Sequence, residues 1–107
     1  MRLELRDGQW AVLRERITHA EDKRLKRVYR AGKDDPEVAF DIDTVLVRVY
    51  VTAWEVRDLD GALIPLGDEN AQDRAPDDII NDLSVAAAEL WAGVSIPQAL
   101  TPNSSDA

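Results

Sequence analysis

Apolar and charged residues alternate at the start of the chain. Residues 2–6 (RLELR) place apolar side chains at every second position, and residues 9–14 (QWAVLR) can form a returning strand. Asp7 and Gly8 between them are a turn pair that is common in two-residue hairpins. The pattern predicts a short N-terminal β-hairpin.

A helix is predicted next, because Thr18 and Glu21 have the spacing of a capping box. Its apolar residues form one narrow stripe at helical spacing: Leu25, Val28 and Tyr29. Gly32 is expected to end this helix as a C-terminal cap. Pro36 disfavours helical geometry in the residue before it, so a loop is expected there.

Residues 41–56 (DIDTVLVRVYVTAWEV) form the most apolar segment, and their periodicity fits two structures. Positions 47, 49, 51 and 53 would line one side of a strand, whereas positions 46, 49, 50, 53 and 54 would line one face of a helix. The β-branched content favours a strand. The length and the acidic start favour a helix. We expect a helix and keep the strand as the alternative.

The rest of the chain predicts a turn, a clamped segment and a final helix. Asp60 and Gly61 form a second turn pair, and the apolar strip at residues 63–66 contains a proline, which is typical of an extended edge or a clamped loop. Residues 67–75 are polar and are expected to be mobile. Pro76 fits the first position of a helix with an apolar stripe, which Ser84 could divide by acting as an N-cap.

The predicted fold class is therefore α+β, mainly α, with a short N-terminal β-hairpin followed by about three helices. We expect a single domain over residues 1–98 and a flexible tail over residues 99–107, since a chain of 107 residues has the length of one domain.

Charge and composition exclude several classes of function. The net charge of −8 disfavours unselective nucleic-acid binding, and the absence of cysteine excludes disulfides and thiolate metal sites. No apolar run is long enough to span a membrane.

The charge is unevenly distributed along the chain. Residues 1–33 carry ten Lys and Arg against five Asp and Glu, a balance of +5, and residues 34–107 carry three against sixteen, a balance of −13. The two parts either pair within one fold, or support head-to-tail self-association or an acidic face for a basic partner.

Candidate catalytic and metal sites are weak. Asp41 and Asp43 fit the D-x-D-x-[T/V] pattern of haloacid-dehalogenase-like phosphotransferases, but no lysine follows Lys33 to hold a phosphoryl group. Asp58 starts a calcium-loop-like pattern that lacks the later oxygen ligands. His19 is the only histidine, and no glycine-rich phosphate loop is present. We therefore predict no catalytic, metal or cofactor site, and keep a small phosphotransferase using Asp41 as an enzymatic alternative.

Residues 54–66 match the pattern W-x-x-x-D-x-D-G-x-x-x-P-L, after an apolar segment and before acidic residues and a helix. In this context the chain resembles the tail-assembly chaperones of long-tailed bacteriophages. The resemblance implies a non-enzymatic protein of the host cytoplasm that binds the tape-measure protein, tail-tube subunits or both before the tail tube polymerises. It also implies self-association into a homo-oligomer, without nucleic acid or membrane partners. A structural protein of the tail or head-tail connector is the alternative.

Tryptophans and exposed aliphatic residues are typical anchors of protein interfaces. The three tryptophans supply a large share of the area that so small a chain can bury, so core packing is the competing interpretation for each. The candidate partner-binding residues are Trp54, Leu63, Leu66, Leu90 and Trp91.

Overall fold

The computed structural model describes residues 1–95, so the predicted tail and residues 96–98 of the predicted domain lie outside the described residues. The strands are β1 (Arg2–Glu4), β2 (Trp10–Leu13) and β3 (Val51–Glu55). The helices are α1 (His19–Asp34), α2 (Pro36–Ala39), α3 (Asp41–Tyr50), α4 (Ala71–Arg74) and α5 (Asp77–Ser95). The predicted α+β class with mainly helix is confirmed.

The N-terminal hairpin forms as the alternation predicts. Strands β1 and β2 pair antiparallel, with Arg2 opposite Val12, and a short 3-10 turn over Arg6–Gly8 connects them. Asp7 and Gly8 both have positive φ, at 58° and 75°. Two successive left-handed residues follow the right-handed twist of the strands, which is why an Asp-Gly pair suits this position.

The segment at residues 41–56 contains both of the structures that its periodicity allows. Helix α3 ends at Tyr50, and β3 starts at Val51 and pairs antiparallel with β2, giving the sheet order β1-β2-β3. A helix over the whole segment is therefore wrong for its last residues. The edge of β2 offers unpaired backbone groups, and the β-branched end of the segment satisfies them.

Helix α1 begins as predicted and ends later than predicted. Thr18 Oγ1 accepts a hydrogen bond from the Glu21 amide at 3.2 Å, and Glu21 Oε1 accepts one from the Thr18 amide at 2.8 Å, so the capping box is confirmed. Gly32 lies inside the helix rather than after it. A Cβ atom there would lie 2.8 Å from the Ala39 Cα, so glycine allows α2 to approach α1 closely.

The second half of the chain is more helical than predicted. Helix α5 runs without interruption through Ser84, whose hydroxyl donates to the Asn81 carbonyl oxygen at 3.0 Å instead of capping a new helix. The polar stretch at residues 67–75 contains the one-turn helix α4. Within residues 1–95, no helix has both the length and the apolar character that crossing a membrane requires.

The core lies where α3 packs against α1 and α5 and where the sheet covers these helices. Its largest fully buried side chains come from all these elements and from the segment after β3: Tyr50, Leu13, Leu25, Ile79, Leu83, Val47 and Val56. Val56 and Ile64 are part of this core, so the packing fixes the base of the segment at residues 54–66.

Candidate protein-binding surface

Residues 54–66 form a hairpin that continues β3 beyond the sheet, and we call this segment the clamp hairpin. The Ile64 amide donates to the Val56 carbonyl oxygen at 2.9 Å, and the Asp58 amide donates to the Ala62 carbonyl oxygen at 2.8 Å. Gly61 has a φ of +87°, which its missing Cβ permits, and its amide donates to the Asp58 carbonyl oxygen at 3.0 Å. The backbone of the hairpin is therefore fixed on both sides of its turn.

Side chains add a second set of bonds to the clamp hairpin. The Trp54 indole N–H donates to the Ile64 carbonyl oxygen at 2.8 Å. Asp58 Oδ1 accepts hydrogen bonds from the amides of Asp60 and Ala62, both at 2.9 Å. Trp54, Asp58 and Gly61, which occupy defined positions of the W-x-x-x-D-x-D-G pattern, thus hold the loop in shape. Residues 63–66 are predicted as an extended edge or a clamped loop, and both features are present at its start: Leu63 pairs antiparallel with Arg57 in an isolated bridge, and the Ile64 amide is bonded to Val56.

The clamp hairpin presents two large apolar side chains to solvent. Leu59, at the turn, is 87% exposed, and Leu63 is 53% exposed. Sequence reasoning identified Leu63 but missed Leu59. The available signal was its place between Asp58 and Asp60, because an apolar residue between two turn-forming acids cannot reach the core.

A groove of about 400 Å³ lies beside Leu59, and we call it the hairpin groove. Its lining comes from the clamp hairpin, the β1–β2 turn and the start of α5, and includes Arg6, Asp7, Gln9, Leu59, Pro76 and Ile79. Gln9 joins two of these parts. Its side chain accepts a hydrogen bond from the Arg57 amide at 2.7 Å and donates one to the Arg6 carbonyl oxygen at 3.0 Å. The clamp hairpin is therefore bonded to the β1–β2 turn at this groove through Gln9.

The charges of the hairpin groove are already partly paired. Arg6 contacts Asp82 at 2.9 Å and Asp78 at 3.4 Å, so the turn after β1 is tied to α5. The hydrogen bond with Asp82 raises the pKa of Arg6 and, from the other side, lowers the pKa of the Asp82 carboxyl. Because these groups are in solvent, each pair adds little to stability. A groove with both signs of charge next to exposed leucine suits a polypeptide ligand.

The other predicted residues of the clamp hairpin have supporting positions. Trp54 and Leu66 are partly buried and pack against the core. Trp54 also contributes the indole bond to the loop. The structure thus places Trp54, Leu63 and Leu66 in one segment, with Leu63 as the exposed member.

The remaining predicted residues lie on α5. Leu90 and Trp91 are partly buried and pack against the core. The Trp91 ring meets the Tyr29 ring edge to face at a centroid distance of 6.0 Å, and its indole N–H donates to Asp22 on α1 at 2.9 Å. These contacts use Trp91 to join two helices, and the structure does not place it with the clamp hairpin.

The residues considered for catalysis or metal binding lie far apart in the sequence and on different elements. Asp41 and Asp43 are exposed in the first turn of α3, where the helix dipole favours acids, and His19 is exposed at the start of α1. Asp58 is used by the turn. Among residues 1–95, the structure contains no group of three His, Cys, Asp or Glu side chains arranged to hold a metal ion.

Comparison of the chain with protein-family models, curated proteins and solved structures finds no match.

Proposed function

We propose that this protein is a tail-assembly chaperone of a long-tailed bacteriophage. In this proposal it acts in the host cytoplasm, without catalysis, by binding the tape-measure protein, tail-tube subunits or both through the clamp hairpin and the hairpin groove. The observation that carries the proposal is the 87% exposure of Leu59 on a loop whose backbone is held by Trp54, Asp58 and Gly61.

The form of the loop supports this function. Exposing a leucine on a mobile loop would require the loop to be ordered on binding, which lowers affinity. The bonds of Trp54 and Asp58 order the clamp hairpin before any partner arrives. Residues 54–66 carry the pattern that resembles the tail-assembly chaperones. In this segment Trp54, Asp58 and Gly61 hold the loop. The loop presents Leu59 and Leu63 to solvent.

The energy available fits reversible masking of a client. Complete burial of a leucine side chain contributes roughly 1.5–3 kcal/mol, so Leu59 and Leu63 together can supply a useful part of a micromolar affinity. Long tape-measure chains form apolar helices, and such a helix can lay its apolar face against the two leucines.

The test is co-expression with the tape-measure protein encoded by the same genome. We expect the tape-measure protein to become soluble and to co-purify with this chain. Replacing Leu59 by serine, L59S, should weaken the complex at least about tenfold, which corresponds to about 1.4 kcal/mol. The matched control is V85S, because Val85 is a 52% exposed aliphatic residue on α5, away from the clamp hairpin.

Two results would contradict the proposal. In the first, the tape-measure protein stays insoluble and does not co-purify. In the second, L59S and V85S bind equally well, which would remove the clamp hairpin from the interface. Detection of the chain at stoichiometric amounts in purified particles by mass spectrometry would favour the structural alternative in the tail or head-tail connector.

A further inference from the structure

The solvent side of α1 is a row of cations, which we call the basic face. Its residues are all exposed and follow one another at helical spacing: Lys23, Arg24, Arg27 and Arg30. None of the four has an ion pair with another residue in the described range 1–95. The opposite side of the helix carries the buried Leu25, so the basic face points away from the core.

The acids closest in sequence to the basic face are already bound by other cations. Residues 16–33 contain seven Lys and Arg and only two Asp and Glu, a balance of +5. Of the two acids, Glu21 pairs with Arg14, and the buried Asp22 pairs with Lys26. The basic face is therefore a locally positive surface on a chain whose net charge is −8.

The spacing of these cations works against the helix that carries them. Like charges three or four positions apart on a helix repel each other. Arg27 takes part in three such pairs, with Lys23, Arg24 and Arg30. Solubility alone does not require this arrangement, because mixed charges on the same face would serve it without the repulsion. An anionic partner relieves the repulsion when it binds.

The apolar side of α1 rules out one class of anionic partner. A basic helix binds an anionic membrane by burying its own apolar face among the lipids. On α1 that face is used by the core, where Leu25 is fully buried and Val28 packs against the same cluster. Insertion of α1 into a membrane would require the fold to open.

The length of the basic face separates the two remaining classes. Seven residues from Lys23 to Arg30 span about 10 Å at 1.5 Å per residue. A nucleic acid continues beyond this length, and its phosphates would then approach the part of the chain at residues 34–107, whose charge balance is −13. An acidic segment of a polypeptide can end where the face ends, so the charge distribution favours it.

We propose that the basic face binds a short acidic segment of a different protein, with about four to six residues rich in Asp and Glu, since an extended chain rises about 3.3 Å per residue. Three of the four cations are arginines, whose guanidinium groups pair with carboxylates through two parallel hydrogen bonds. The hairpin groove contains no residue of the basic face. The inference is therefore independent of the function proposed for the clamp hairpin.

Fluorescence anisotropy with a labelled hexaglutamate peptide tests the proposal on the isolated protein. Binding should be saturable at about 0.05 M NaCl and at least about tenfold weaker at about 0.5 M, because exposed charges are screened by salt. The variant R24Q/R27Q should bind the peptide at least about fivefold more weakly than the wild type. The matched control R16Q/R48Q removes the same charge at two exposed arginines outside the basic face, and should bind like the wild type.

Thermal denaturation of the same variants separates binding from a structural role. R24Q/R27Q removes all three repulsive pairs, so its thermal midpoint should be equal to or higher than that of the wild type. Circular dichroism measures the midpoint and shows that each variant is folded. If the two arginines were kept for the stability of α1, the midpoint of R24Q/R27Q would instead fall together with its binding, which would contradict the proposal.

An oligothymidylate of the same charge as the peptide is the comparison probe, and it should bind more weakly. Three binding results would overturn the proposal. The peptide could fail to bind at low salt, R16Q/R48Q could lose binding as strongly as R24Q/R27Q, or the oligothymidylate could bind at least as tightly as the peptide, which would assign the basic face to nucleic acid. None of these results involves tape-measure binding by the clamp hairpin, so the two proposals fail separately.

Discussion

Trp91 donates its indole N–H to Asp22 Oδ1 at 2.9 Å, a bond between residues 69 positions apart that ties α5 to α1. Asp22 is buried, and its second oxygen contacts Lys26 Nζ at 2.8 Å. A carboxylate away from water depends on such partners, because desolvation of an unpaired charge is costly. Trp91 is therefore a structural link between helices, whatever else its ring contacts.

Replacing Trp91 by phenylalanine, W91F, should lower the free energy of unfolding by about 1–3 kcal/mol, because the buried carboxylate loses a donor. Urea denaturation followed by circular dichroism measures this. The control is W10F, since the Trp10 indole N–H makes no hydrogen bond within the described part of the chain and its ring lies under Arg2. Equal losses in the two variants would show that the Asp22 bond contributes nothing specific.

Gly32 should resist replacement although it lies inside a helix. Alanine usually stabilises a helix interior by about 1 kcal/mol relative to glycine. At this position the new Cβ would lie 2.8 Å from the Ala39 Cα, a backbone atom that cannot rotate away. Overpacking costs about 1–3 kcal/mol, so G32A should lower the thermal midpoint.

The matched control for G32A is G93A on α5, where a Cβ would meet no atom of residues 1–95 within 4 Å. Alanine should stabilise the helix there by up to about 1 kcal/mol. Opposite signs for the two substitutions are expected in thermal denaturation. A stabilising effect of G32A would mean that α1 and α2 are not held as closely as the structure has them.

Asp58 should determine the order of the clamp hairpin. Its Oδ1 accepts from the amides of Asp60 and Ala62, so D58A leaves both amides without that acceptor. We expect the Ala62 amide to exchange with solvent at least about tenfold faster, equivalent to about 1.4 kcal/mol of local stability, while global unfolding changes little. Hydrogen exchange followed by NMR measures both.

Asparagine at the same position keeps an oxygen acceptor and removes the charge. The Ala62 amide of D58N should therefore exchange like that of the wild type, apart from the effect of losing the long, partly exposed ion pair between Asp58 and Arg74. If D58N and D58A exchange equally fast, the order of the hairpin comes from the charge of Asp58 rather than from its hydrogen bonds.

Local signals explain the parts of the fold that the sequence predicts well. The Asp7-Gly8 turn and the Thr18–Glu21 box are each settled by residues a few positions apart, and both form as expected. The change from helix to strand at Val51 is different, because it depends on the free edge of β2, about 40 positions earlier in the chain. No local periodicity contains that information.

The candidate surfaces also divide into features set by neighbouring residues, which could be predicted, and features set by packing of distant elements, which could not. The clamp hairpin could be anticipated, since its turn pair and proline are neighbours in the sequence, but the exposure of Leu59 depends on how the loop leaves the core. The groove between the starts of α3 and α5 could not be predicted, because Asp43, Asp73 and Asp77 in its lining come together only when α3, α4 and α5 pack. The exposure of Phe40 could not be predicted either, because a single aromatic residue between two helices is equally compatible with burial.

Tyr50 offers a test of a buried polar group. Its side chain is fully buried, and its hydroxyl has no hydrogen-bond partner among residues 1–95. Burial raises the pKa of Tyr50, with a smaller contribution from Asp22. Removing the hydroxyl in Y50F should leave the free energy of unfolding unchanged or raise it by up to about 1 kcal/mol. A loss of more than about 1 kcal/mol in urea denaturation would mean that the hydroxyl has a partner in solution.

Glu21 should give the protein a defined response to acid. Its carboxylate accepts from the Thr18 amide and from Arg14, and these bonds hold the pKa of Glu21 below its usual value, the Thr18 bond most strongly. A depressed pKa in the folded state contributes stability above the unfolded pKa of about 4.3, and this contribution is lost as the pH falls through the folded value.

E21Q keeps an acceptor for the cap but loses the charge. At pH 7 it should therefore be less stable than the wild type by ~0.5–1 kcal/mol, a small value because the group is partly in solvent. Urea denaturation at a pH well below the folded pKa should show the difference in the free energy of unfolding shrinking towards zero, since the wild-type carboxyl is then also neutral in the folded protein. The control E89Q, at an exposed glutamate of α5, should follow the wild type throughout, and a gap between E21Q and the wild type that persists in acid would show that shape rather than charge decides the contribution of Glu21.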